Sequence, residues 1–109
     1  MGYLNQQDFR SAMPFRSGGG DYLDIYRALA DAGDDHAMFE LGCAYSTGGH
    51  GLTCDMVEAH KWFNLAAAHG HEDAPHCRSE VAGEMTPREI AEAQRNARAW
   101  LLKHARLNA

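Results

Sequence analysis

Apolar residues recur along this chain at three- and four-residue steps, the period of an amphipathic helix, and nowhere alternate in the two-residue period of a strand. The clearest stretch is 55–70, DMVEAHKWFNLAAAHG. Val57, Ala59, Trp62, Phe63, Ala66 and Ala67 share one face there, with Glu58, Lys61 and Asn64 between them. Asp55 stands where a side chain caps the free amides of a first turn, and Gly70 where a left-handed residue ends a helix. A helix with Trp62 and Phe63 at one level and three alanines at the next is suited to neighbours packed closely against it. The rest of the fold is expected to be organised around it.

Four further helices follow from the same pattern. Residues 21–32 place Tyr22, Ile25, Tyr26, Leu29 and Ala30 inward, with Asp21 as cap and Gly33 as stop. Residues 34–48, capped by Asp34, bury Ala37, Leu41, Ala44 and Tyr45, while Gly42 permits close helix approach. Residues 72–83 are the poorest in apolar side chains, with Ala74, Val81 and Ala82, and carry Pro75 in the first turn, where proline is tolerated. Thr86-Pro87-Arg88-Glu89 is a capping box, and from it run Ile90, Ala93, Ala97, Trp100, Leu101 and His104 to about 105. Residues 1–20, ending in Ser17-Gly18-Gly19-Gly20, read as a flexible N-terminal arm bearing Tyr3, Leu4, Phe9, Met13 and Phe15. The fold class is all-α.

The helices also repeat. Ala30-x-x-Gly33-x-x-x-Ala37 returns as Ala67-x-x-Gly70-x-x-x-Ala74, an offset of 37 residues (70 − 33). A two-helix unit of this length with tight glycine turns is the building block of an α-solenoid. Ala37-x-x-x-Leu41-Gly42-x-x-Tyr45-x-x-Gly48, followed by Asp55-x-x-x-Ala59-x-x-Trp62-x-x-x-Ala66-Ala67-x-x-Gly70-x-x-x-Ala74, closely resembles the Sel-one-like repeat, a relative of the tetratricopeptide repeat. The resemblance gives a half unit at 21–33, a full unit at 34–70, a degenerate half unit at 71–84 and a capping helix at 86–105 within a repeat domain spanning 21–109. It implies a short right-handed superhelix of about five antiparallel helices, a protein-binding role and no enzymatic activity. Arg78 and Ala82 depart from the pattern, standing where the full unit has Leu41 and Tyr45. Solenoids need about three units for stability, so the last helix is expected to close the open end, with self-association through an uncapped face as the other solution.

Composition narrows the partners. The 109 residues make one domain, and the net charge of −5 argues against nucleic acid, which attracts basic stripes. Acidic residues gather in 21–40 and basic ones in 88–106, which reads as solvated helix faces. No apolar run is long enough to span a membrane, and the N-terminus lacks the apolar core of a secretory signal. Three cysteines in no disulfide-like spacing fit a reducing compartment, so the cytoplasm is expected, and with the resemblance a bacterial protein is expected.

Chemistry-bearing residues are few. His69, His71, His76 and Cys77 fall within nine residues, and Cys43, His50 and Cys54 are further potential ligands, but no zinc-finger or His-Glu-x-x-His spacing is present. The glycine clusters lack the Gly-Lys-Ser/Thr of a phosphate loop, and a cysteine on a half-buried helix is usually a packing residue. Neither a cofactor nor a metal is expected. The expected working surface is instead a second stripe on the second helix, His36, Phe39, Cys43 and Thr47, facing Asp73, His76 and Glu80 on the fourth. Phe39 there supplies an apolar anchor point and the carboxylates an acidic wall, which suits a basic peptide carrying an apolar residue. Packing of Phe39 against Phe9 or Phe15 of the arm is the competing arrangement. A small histidine/cysteine regulator responsive to metal or pH is the alternative function.

Overall fold

A computed structural model describes residues 20–107. Among these residues five helices follow one another: α1 (Gly20–Asp31), α2 (Asp35–Thr47), α3 (Met56–Ala68), α4 (Ala74–Ala82) and α5 (Pro87–Leu107), with a 3₁₀ turn at Gly49–Gly51 between α2 and α3. No strand occurs among the described residues. The arm expected over 1–20 lies, apart from Gly20, outside them.

Local chemistry accounts for the helix ends. The Asp34 carboxylate accepts the Ala37 amide at 2.9 Å, and Asp55 accepts that of Glu58 at 3.1 Å, so both acids cap as expected. Beyond α3, the His71 amide donates to the Ala66 carbonyl at 2.9 Å and the Gly70 amide to Ala67 at 3.0 Å. Beyond α1, Asp34 donates to Leu29 at 3.0 Å and Gly33 to Ala30 at 2.9 Å. These are Schellman turns, which require a left-handed residue, and Gly33 and Gly70 supply it at φ 97° and 96°. The two helix ends are therefore built alike 37 residues apart (70 − 33).

Two boundaries differ from expectation. α1 begins at Gly20, one residue before Asp21. The fourth helix begins at Ala74 and ends at Ala82, because the His71 ring nitrogen accepts the Asp73 amide at 3.1 Å and holds residues 72–73 in a turn.

The capping box of α5 is reciprocal: the Thr86 amide donates to Glu89 Oε1 at 2.9 Å and the Glu89 amide to Thr86 Oγ1 at 3.1 Å. Thr86→Ala is expected to cost about 1 kcal/mol with helical content nearly unchanged. Chemical denaturation measures this, and a loss several times larger would reveal a tertiary role for Thr86.

α3 is the hub, packing against α2, α4 and α5, while α1 packs chiefly on α2. Accordingly α3 is buried on most of its circumference, at Ala59, His60, Trp62, Phe63, Leu65 and Ala66. Phe63, Met38, Leu41 and Leu65 are the largest fully buried side chains. Gly42 lets α2 approach the Phe63 ring: a Cβ at that position would sit 2.6 Å from two ring carbons.

The inward face of α1 is the expected one only in part: Ala30 is buried and Tyr22 and Tyr26 are half-buried as expected, but two of the five residues face out and Leu23 takes their place. Leu23 and Ala30 are buried, whereas Ile25 and Leu29 are 38% and 44% exposed. Leu23 and Ala30, seven residues apart, lie on one helix face, and that face meets α2. On α5 the buried positions are Ala93 and Ala97, Trp100 is half-buried, and Leu101 is exposed. Tyr45 is half-buried as well, its hydroxyl accepting from Arg27 Nη2 at 2.7 Å. The loop between α2 and α3 is held by His50, whose ring lies 5.9 Å from that of Tyr22 and 6.0 Å from that of Tyr26.

Candidate functional site

α2 and α4 both rest on α3, and a groove of about 240 Å³ opens between them. Its floor is apolar: Phe63 and Met56 from α3, Val81 and Cys77 from α4, Cys43 from α2. Glu80 and Glu84 stand on one rim and Ser46 and Thr47 on the other. Both hydroxyls turn back to donate to the Cys43 carbonyl, at 3.0 and 2.9 Å, so that rim is held in place by its own helix.

Of the seven residues expected to form a working surface, Cys43, Thr47 and Glu80 line this groove together. His76 is exposed and pairs with Glu80 at 3.4 Å. Asp73 precedes α4 without a side-chain capping bond. His36 is exposed, 3.5 Å from Glu40, with its ring stacked 6.3 Å from that of His71.

Phe39 does not line the groove. It is half-buried, stacked on the His71 ring at 4.1 Å and tilted against Phe63 at 5.5 Å. It joins the packing of both halves of the core. The stripe on α2 is offset from the core as the helical wheel indicates, but the turn before α4 lays His71 over Phe39. The arm residues Phe9 and Phe15 lie outside the described residues.

Met56, Phe63, Cys77 and Val81 are the lining residues that the sequence pattern did not assign to a surface. Phe63 and Val81 were legible only as core. Cys77 sits one position from His76 and reaches the groove because α4 turns that edge toward α2.

Both groove thiols are raised above the ordinary thiol range. Burial first, then the charge of Glu40 and the neighbouring Cys77, pushes Cys43 up to about 11. Cys77 is raised too, by burial and then by Glu80 and Asp73. A protonated thiol is a poorer nucleophile than a thiolate. The histidines are dispersed: His69 Nδ1 lies 2.8 Å from the Leu65 carbonyl, His71 is taken up by Phe39 and the Asp73 amide, and His76 faces Glu80. Among the described residues no three His, Cys, Asp or Glu side chains gather in metal-binding geometry.

A larger recess, about 360 Å³ between α3 and α5, is bordered by Asn64, Gln94 and Arg98 over Leu65 and Ala97. It is a polar furrow left by the small residues at that helix contact, with no carboxylate rim and no cysteine. No helix among the described residues is long and apolar enough to cross a membrane. No family model, no curated protein and no solved structure matches this chain.

Proposed function

We propose that this chain is a protein-interaction module, a short α-solenoid of the Sel-one-like kind without enzymatic activity, which binds a basic peptide segment in the groove between α2 and α4. The solenoid reading is supported by equivalences at the 37-residue offset (70 − 33). The Schellman turns at Gly33 and Gly70 match, as do the buried pairs Ala37 and Ala74, Ala44 and Val81, and Leu23 and His60.

The observation that carries the binding reading is an apolar floor beneath a carboxylate rim. Met56, Phe63 and Val81 offer a seat for one apolar side chain, and Glu80 and Glu84 offer opposite charge to flanking Lys or Arg. Apolar anchors supply most of the affinity at such surfaces, and rim charge sets on-rate and selectivity.

Selection from a random peptide library should therefore enrich an apolar residue flanked by Lys or Arg. Glu80→Lys with Glu84→Lys, both at exposed positions, should weaken the selected peptide by about tenfold or more, equivalent to about 1.4 kcal/mol, with helical content intact. Enrichment indifferent to charge, or unchanged affinity in the double variant, would overturn the acidic-rim reading.

A further inference from the structure

We propose that Cys43, Cys77 and Met56 form a binding site for one soft monovalent cation, Cu(I), in the floor of the α2–α4 groove. Three sulfur-bearing residues from three different helices line a single pocket. Their side chains pack on the same apolar patch of Ala59, Phe63 and Val81. Neither thiol makes a hydrogen bond among the described residues, and the hydroxyls of Ser46 and Thr47 are already engaged by the Cys43 carbonyl. Sulfur is thus the donor the pocket floor has to offer.

Ligand softness selects the ion. Thiolate and thioether donors favour Cu(I), whereas structural zinc takes four nitrogen, oxygen or thiolate ligands. No such larger set gathers among the described residues.

Binding is an acid–base exchange without electron transfer. Two S–H bonds break, two Cu–S bonds form, two protons leave to solvent, and the Met56 sulfur donates a lone pair as third ligand. The copper stays Cu(I) throughout. Because both thiols are protonated near neutrality, apparent affinity must rise by about a hundredfold per pH unit, two protons being released per ion.

The purified full chain, reduced and kept free of oxygen, is titrated with Cu(I) against a competing Cu(I) chelator. One copper per chain should be retained, with the hundredfold dependence on pH. Cys54→Ser, which removes the exposed third thiol, should bind as the parent does. Cys43→Ser and Cys77→Ser should each lose at least a hundredfold in affinity, and Met56→Leu about tenfold. Copper retained unchanged by either of the first two, or lost in Cys54→Ser, overturns the site. So does half a copper per chain, which means an ion shared between copies. X-ray absorption of the loaded parent protein gives a readout free of any folding defect: scattering from two or three sulfurs agrees, and nitrogen or oxygen neighbours refute. Peptide selection has no part in this measurement, so failure of the binding proposal leaves it unaffected.

Discussion

Trp62→Ala is expected to lower the melting temperature by about 12 °C or more. Trp62 is 6% exposed and belongs to the main core cluster with Leu41, Leu65, Ala66 and Ala97. Its ring meets Trp100 of α5 edge-on at 6.1 Å and 72°, the arrangement aromatic quadrupoles favour. Lys61 Nζ lies 4.5 Å from its centroid, adding a cation–π contact on the solvent side. Truncating such a side chain costs about 3–5 kcal/mol through lost transfer energy and a residual cavity. In a domain of this size each kcal/mol shifts the melting temperature by about 4–8 °C. Trp100→Ala removes a half-buried partner of the same pair and should cost less. A Trp62 variant melting within two or three degrees of the parent would mean that α5 is not held on α3 through this contact.

The second large effect has the opposite sign. His60 is 3% exposed, and its Nδ1 is buried without a hydrogen-bond partner among the described residues. Burial, and then the positive charge of Arg78, lowers its pKa below 6.5. Arg78 is itself positioned by donating to Asn64 Oδ1 at 3.0 Å. A histidine whose folded pKa lies below its unfolded one binds more protons when unfolded. Its neutral form is therefore tolerated at and above pH 7, and stability falls as pH drops through about 6.5 toward the folded value. His60→Leu removes both the orphaned nitrogen and the proton linkage. It should gain about 1–3 kcal/mol near neutrality, and its advantage over the parent should widen by up to about 1.4 kcal/mol per pH unit on acidification. Denaturant unfolding of both proteins at pH 7.5, 6.5 and 5.5 tests this. A destabilised His60→Leu, or a gap that narrows with acid, would show that the ring makes a favourable contact in the folded state.

Phe39 shows how a correct helical wheel can mislead. The wheel places it off the stripe of Ala37, Leu41 and Ala44, and on that basis it reads as an exposed anchor. Its cover comes from His71, 32 positions on (71 − 39), at a turn whose direction no residue near Phe39 encodes. The groove consequently takes its apolar character from Met56, Phe63 and Val81, and the acidic side from Glu80 and Glu84.

What the sequence determined alone is whatever is settled within about five residues. The Asp34 and Asp55 caps, the Thr86–Glu89 box, the Gly33 and Gly70 turns and the all-helical class all belong there, because each depends on hydrogen bonds or sterics inside one turn. Tertiary structure decided the faces. Periodicity marks an apolar stripe without saying what meets it. Since α1 packs chiefly on α2, Leu23 is buried and Ile25 and Leu29 are not. With neighbours at α2, α4 and α5, α3 buries even His60, a residue whose type predicts exposure when only one face is covered. The meeting of Cys43 with Cys77 and Met56 is of the same kind, a product of three helices brought together by packing around Phe63.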